Sequence, residues 1–273
     1  MLKAILFDLD NTLVLFDESK FYDGYLRRIA PIFADIMPPA MFQKRLITTT
    51  RSLKQNNGSV TNKEYFMEVF SREYENRREE LWQRFEYFYD NEYDKLEAIV
   101  SLPDSLHDVF DELLGRRIKL VLASNPIFPL RVQMKRAEWA GLEHIPFYWV
   151  THIENMTFCK PRVEYYLEIC RNIDEQPGTC LMVGNDSVND MIAARAGLKT
   201  YLTDDALGID SSSLTLSRNR RKIQAPHIPA PDFKGPLAGV IAAAGRLENK
   251  DYFAKPAIAK KGVSDGIFIK SDT

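Results

Sequence analysis

The sequence predicts an α/β fold in which a Rossmann-like parallel sheet is interrupted by a helical insertion. Three observations predict it. Short apolar runs recur along the chain, each ending in polar residues or glycine. Helical periodicity lies between them, and one long stretch near the N-terminus is helical and aromatic without strand-like runs.

The first apolar run, residues 2–7, is continuous and stops at acidic and polar residues. That pattern suits a central parallel strand covered on both faces. Residues 118–123, 147–150 and 180–183 repeat it, and residues 200–202 offer a fifth strand. Between them Leu106, Val109, Phe110, Leu113 and Leu114 fall on one helical face, and Tyr165, Tyr166, Ile169 and Cys170 on another. A short helix over 235–246 closes the core.

Residues 16–100 break the alternation. They are helical in period and rich in rings, among them Phe21, Tyr25, Phe66, Phe70, Trp82, Phe85 and Phe88, which read as core. Asn57-Gly58-Ser59 marks a turn, and Thr61 with Glu64 forms a capping box for the helix that follows. The domain reading is therefore a catalytic core over 1–15 and 101–248, a helical lobe over 16–100 and a loosely held tail over 249–273. Residues 205–232 read as a surface connection.

Composition narrows the function. With 36 basic and 38 acidic residues the net charge is -2, so no global field recruits nucleic acid or an anionic membrane. The basic cluster Arg218, Arg220, Arg221 and Lys222 lacks interleaved aromatics and reads as solubilising surface. Three cysteines, Cys159, Cys170 and Cys180, form neither a secreted disulfide framework nor a zinc spacing, and point to a reducing cytoplasm. The apolar N-terminus carries two aspartates, which excludes a signal peptide, and residues 237–245 are too few to span a bilayer.

Chemistry concentrates where the apolar runs end, the place where open parallel sheets bind ligands. Asp8 and Asp10 follow the first run, a pair able to hold a hard cation. One carboxylate can attack phosphorus while its neighbour protonates the departing oxygen. Ser124-Asn125-Pro126 offers a hydroxyl and backbone amides for a phosphoryl oxygen. Lys160 precedes Pro161 at the start of a helical pattern, with Pro161 in its first turn. Asp186 and Asp190 stand four apart at a strand-to-helix junction, with oxygen ligands of the kind Mg²⁺ takes. Taken singly, these are also ordinary caps, turns and solvated lysines.

In order, strand context and spacing, the four clusters DLDNT at 8–12, Ser124, Lys160 and DSVND at 186–190 resemble the haloacid dehalogenase-like hydrolases. The resemblance spans residues 1–204, and the lobe resembles that family's first type of cap. It implies Asp8 as nucleophile and Asp10 as general acid/base. It also implies Mg²⁺ held by Asp8, Asp186 and the Asp10 carbonyl, with Ser124 and Lys160 on the phosphoryl group. Asp190 would position Lys160 or a metal-bound water, and Asn125 would lend its backbone amide. One departure is Asn185, which separates Gly184 from Asp186 where many members place the glycine directly adjacent.

Within the resemblance Asp10 favours phosphate over halide, since a halide departs unprotonated. Nothing in the sequence marks Lys20, Lys44, Lys54 or Lys63 as desolvated enough for imine chemistry. The expectation is an Mg²⁺-dependent phosphatase acting on a small phosphorylated metabolite through an aspartyl-phosphate. The alternatives are a phosphosugar mutase or other phosphotransferase of the family, and a non-catalytic phosphate-binding module. Arg27, Arg28, Arg45 and Arg51 could recognise the substrate or simply face solvent.

Overall fold

The computed structural model describes residues 1–206 and 228–249. The basic cluster and the tail beyond Asn249 lie outside the described residues.

The chain runs β1 (Ala4–Phe7), α1 (Glu18–Ile29), α2 (Pro39–Ser52), α3 (Asn62–Phe70), α4 (Arg78–Asn91), α5 (Leu106–Leu114), β2 (Lys119–Leu122), α6 (Leu130–Trp139) and β3 (Trp149–Val150). It continues through α7 (Val163–Asn172), β4 (Cys180–Gly184), β5 (Lys199–Thr203), β6 (Phe233–Gly235) and α8 (Gly239–Glu248). The six strands form one sheet in the order β3-β2-β1-β4-β5-β6, parallel throughout. In register, Ala4 stands beside Lys119 on one side and Cys180 on the other.

All four residues of β1 are buried, and their side chains divide by the two-residue period of a strand. Ile5, Phe7, Leu120, Leu122, Leu181 and Val183 pack on one face; Ala4, Leu6, Val121, Cys180 and Met182 pack on the other. Continuous apolar runs thus follow from a sheet covered on both sides. After β1 the chain builds β2 and β3 to one side and later β4, β5 and β6 to the other. A crevice therefore opens at the carboxyl end of β1.

Residues between β1 and α5 are helical. Phe33, Phe42, Phe66, Phe70 and Phe85 stack and meet edge to face within them, and all are buried. The same hydrophobic cluster continues through Phe21, Tyr25, Tyr93 and Phe128 to the sheet face. The capping box forms as expected: Thr61 accepts from the Glu64 amide, and the Glu64 carboxylate accepts from the Thr61 amide. Where the chain leaves and rejoins the core, Leu15 and Ser101 bond each other in both directions at 2.7 and 2.8 Å.

Several elements differ from expectation. Residues 233–235 form edge strand β6 because Phe233 pairs alongside Tyr201, so the closing helix starts four residues later than the predicted 235. Pro161 lies ahead of α7 rather than in its first turn; Arg162 is the residue that caps that helix. A short 3₁₀ turn over Met191–Ala196 follows Asp190 in place of an α-helix and ends at Gly197, whose φ of 93° stops it. Helix α6 has no counterpart in the expected elements.

Candidate active site

Asp8 follows β1 directly, Ser124 lies just beyond β2, and Asp186 and Asp190 follow β4. Lys160, 2% exposed, reaches Asp8 Oδ1 at 2.7 Å and Asp190 Oδ1 at 2.6 Å. Burial works against the charge on Lys160, but Asp190 and Asp8 outweigh it and hold the ammonium well above its ordinary range. Burial likewise raises the Asp190 carboxyl, with Lys160 opposing and Asp8 and Asp186 adding to the rise.

The loop bearing Lys160 is fixed from three sides. Its backbone amide donates to Asn125 Oδ1 at 3.2 Å, so the Asn125 side chain holds this loop. Buried Glu168 accepts from the Thr157 and Phe158 amides. From the inserted helices, Asn62 donates to the Met156 carbonyl and Lys63 to the Ile153 carbonyl, while Arg162 donates to the Asn56 carbonyl at 2.6 Å. Gly58, with φ of 90°, passes so near the Phe158 ring that a β-carbon would lie 2.4 Å from it.

Ser124 is buried, and its carbonyl accepts from the Thr151 and Tyr165 hydroxyls, which pins the turn after β2. Thr12, part of the first cluster, donates to Asp8 Oδ2 or Asn185 Oδ1, each at 3.3 Å. Asp186 stands apart: its carboxylate accepts from the Val188 and Asn189 amides and the Asn189 side chain, while its own amide donates to Asp190 Oδ2 at 2.9 Å.

Asp10 has a partner the sequence did not reveal. Arg136 on α6 reaches both carboxylate oxygens through Nη1, at 2.8 and 2.9 Å. Burial lifts the Asp10 carboxyl above its ordinary value; Arg136 pulls it down, and Asp8 pushes it up. Arg136 is wholly buried, its Nε donates to Tyr93 Oη at 2.6 Å, and Phe128, Phe21 and Tyr93 surround its guanidinium. The available signal was an arginine four residues from both Val132 and Ala140, on the apolar face of a helix.

Lys54 also departs from expectation. It lies on the 3₁₀ turn after α2, and burial lowers its ammonium despite Cys159 and Asp186 nearby. Arg45 is committed to the Phe70 carbonyl and Glu73.

A family model described as haloacid dehalogenase-like hydrolase matches residues 2–197. Among solved structures, a 2-haloacid dehalogenase from Pseudomonas syringae pv. tomato DC3000 aligns at TM-score 0.56 and 15% identity, covering 90% of this chain and 99% of that one. A HAD phosphatase from Thermococcus onnurineus aligns at TM-score 0.53 and 15% identity, covering 89% and 98%. A predicted phosphoglycolate phosphatase from Haemophilus somnus 129PT aligns at 0.51 and 18%, with the same coverages. At such identities these likenesses speak to the fold alone. No curated protein matches the sequence. The family match over most of the chain identifies it: the protein belongs to the haloacid dehalogenase-like hydrolases.

Proposed function

We propose that this hydrolase removes phosphate from a small phosphomonoester through an aspartyl-phosphate on Asp8. The observation that carries the reading is the buried chain Asp190–Lys160–Asp8 at the tip of β1, with a second carboxylate, Asp10, two residues on. Halide departure needs no acid, so the second aspartate favours phosphate.

In this reading an Asp8 oxygen attacks phosphorus while the P–O bond to the leaving group breaks. Lys160 offsets the repulsion between anionic Asp8 and the incoming phosphate, and Asp190 keeps that ammonium in place. Ser124 binds a phosphoryl oxygen at the end of β2. Asp10 gives its proton to the leaving oxygen and then takes one from the water that hydrolyses the acyl phosphate.

The chemistry of the oxygen donors here is of the kind that Mg²⁺ takes. Asp8 and Asp190 share the single cation Lys160, and Asp186 adds a further carboxylate beside Asp190, leaving negative charge that a divalent cation would balance. Among the described residues no three His, Cys, Asp or Glu side chains converge. The set in this reading is accordingly Asp8, Asp186 and the Asp10 carbonyl, few protein ligands with water and phosphate completing the shell. Bound there, Mg²⁺ would neutralise charge developing on the transferred phosphoryl group.

Residues 16–100 are proposed as a cap over this crevice. Their contacts with the Lys160 loop and the clasp at Leu15 and Ser101 support that role. No helix among the described residues is long and apolar enough to cross a membrane, and three free buried cysteines accord with a cytoplasmic setting.

The test is phosphate release from a panel of phosphosugars, nucleotides and organic phosphates with Mg²⁺. Asp8→Asn and EDTA should each abolish release. Release that survives Asp8→Asn overturns the nucleophile, and silence from folded, Mg²⁺-supplied protein across the panel favours a non-catalytic module.

A further inference from the structure

We infer that Arg136 is the positioning residue for Asp10, an inference that rests on the acid/base role proposed for that aspartate. One nitrogen, Nη1, lies 2.8 and 2.9 Å from the two oxygens, a near-symmetric contact that centres the carboxylate on that nitrogen and fixes its distance. The guanidinium cannot drift in response. Its Nε is tied to Tyr93 Oη at 2.6 Å, and Phe128 lies over it at 4.4 Å with Phe21 and Tyr93 beyond. Asp10 itself keeps 27% of its side chain exposed while the arginine keeps none, so the carboxylate is held from behind and left open in front.

Stability alone does not account for this arrangement. Buried ion pairs often contribute no more than well-packed apolar side chains of similar volume. Here the arginine also carries a cost, because its Nη2 is buried with no hydrogen-bond partner. A pinned carboxylate does have a catalytic use: proton delivery to a leaving oxygen demands placement within a few tenths of an ångström.

The pin also gathers distant parts of the chain. Phe21 belongs to α1, where the inserted helices begin, and Tyr93 to the 3₁₀ turn where they end; Phe128 and Arg136 belong to the core. The placement of Asp10 is thereby tied to the seating of the insertion at both of its ends.

The experiment compares p-nitrophenyl phosphate, whose leaving group departs without a proton, with ethyl phosphate, whose leaving group needs one. Enzyme with Mg²⁺ is assayed as wild type, Arg136→Lys, Tyr93→Phe, Asp10→Asn and the Arg136→Lys/Asp10→Asn double variant. Lysine keeps the charge but loses the bond to Tyr93 and the flat contact with Phe128 that set where the donor nitrogen sits. Arg136→Lys should lower kcat/KM, which reads only the step that forms the acyl phosphate, about 100-fold on ethyl phosphate, the lower end of what a general acid supplies, against a few-fold on p-nitrophenyl phosphate. Tyr93→Phe, which keeps every ring, should show the same asymmetry at smaller size, and remains informative if Arg136→Lys fails to fold. In the Asp10→Asn background Arg136→Lys should cost nothing further on ethyl phosphate. Equal losses on both substrates, or additive losses in the double variant, overturn the inference. If Asp10→Asn itself shows no asymmetry, the acid/base reading has failed, and the inference falls with it.

Discussion

Gly184 and Asp190 approach so closely that a β-carbon on the glycine would lie 2.2 Å from Asp190 Oδ2. The missing side chain at the end of β4 is therefore a condition for placing the carboxylate that holds Lys160. Gly184→Ala should displace Asp190 from Lys160 and from the Asp186 amide, and destabilise the protein by about 1–3 kcal/mol as overpacking does. Urea denaturation measures it, and an unchanged midpoint would mean that Asp190 has room to shift.

Lys160 lies between two buried carboxylates, and its loss would leave both without a cation. Lys160→Met should destabilise by about 3–5 kcal/mol, the usual consequence of breaking a buried pair from one side. Adding Asp190→Asn should recover part of that loss by removing one of the stranded charges. If the double variant is as unstable as the sum of the singles, the two residues are not coupled.

Glu80 supplies a pH dependence. Hydrogen bonds from Arg77 and then Arg84 bring its carboxyl down from 4.5 to about 2. A depressed carboxyl stabilises the folded state above its unfolded value and loses that contribution as pH falls. The loss should run from pH 4.5 down to about 2. Glu80→Gln should flatten the fall of stability with acid across that window, and identical slopes for variant and wild type would count against the network.

Phe85 touches the rings of Phe33, Phe42, Phe66, Phe70, Trp82 and Tyr89. Phe85→Ala should cost about 3–5 kcal/mol. Because one hydrophobic cluster runs from these rings to the sheet, calorimetry should show one transition moving as a whole. A new early transition would mean that the inserted helices unfold separately.

Much of the architecture was legible because β1, β2 and β4 are covered on both faces and so read as unbroken apolar runs. The capping box at Thr61 was legible because it is local. β6 was not, since Phe233-Lys234-Gly235 gains strand character only from its neighbour β5. Asp8, Lys160 and Asp190 follow such runs or lie in loops near them, and the structure joins them directly. Arg136 stayed hidden because its partner lies 126 positions away and no local rule assigns an arginine to an aromatic cage. Lys54 stayed hidden for a like reason, since its desolvation comes from packing against distant segments.

The paired bonds between Leu15 and Ser101 mean that the chain returns to its starting point after the whole helical excursion. The closure entropy of so long a loop is met at this clasp together with the bonds to the Lys160 loop, and it grows only slowly with the number of residues enclosed. To the sheet, the excursion is a junction of fixed width whatever hangs from it. A change in the length of the helices hung there leaves Asp8 in register beside β4, as long as Phe21 and Tyr93 at the two ends keep their places around Arg136.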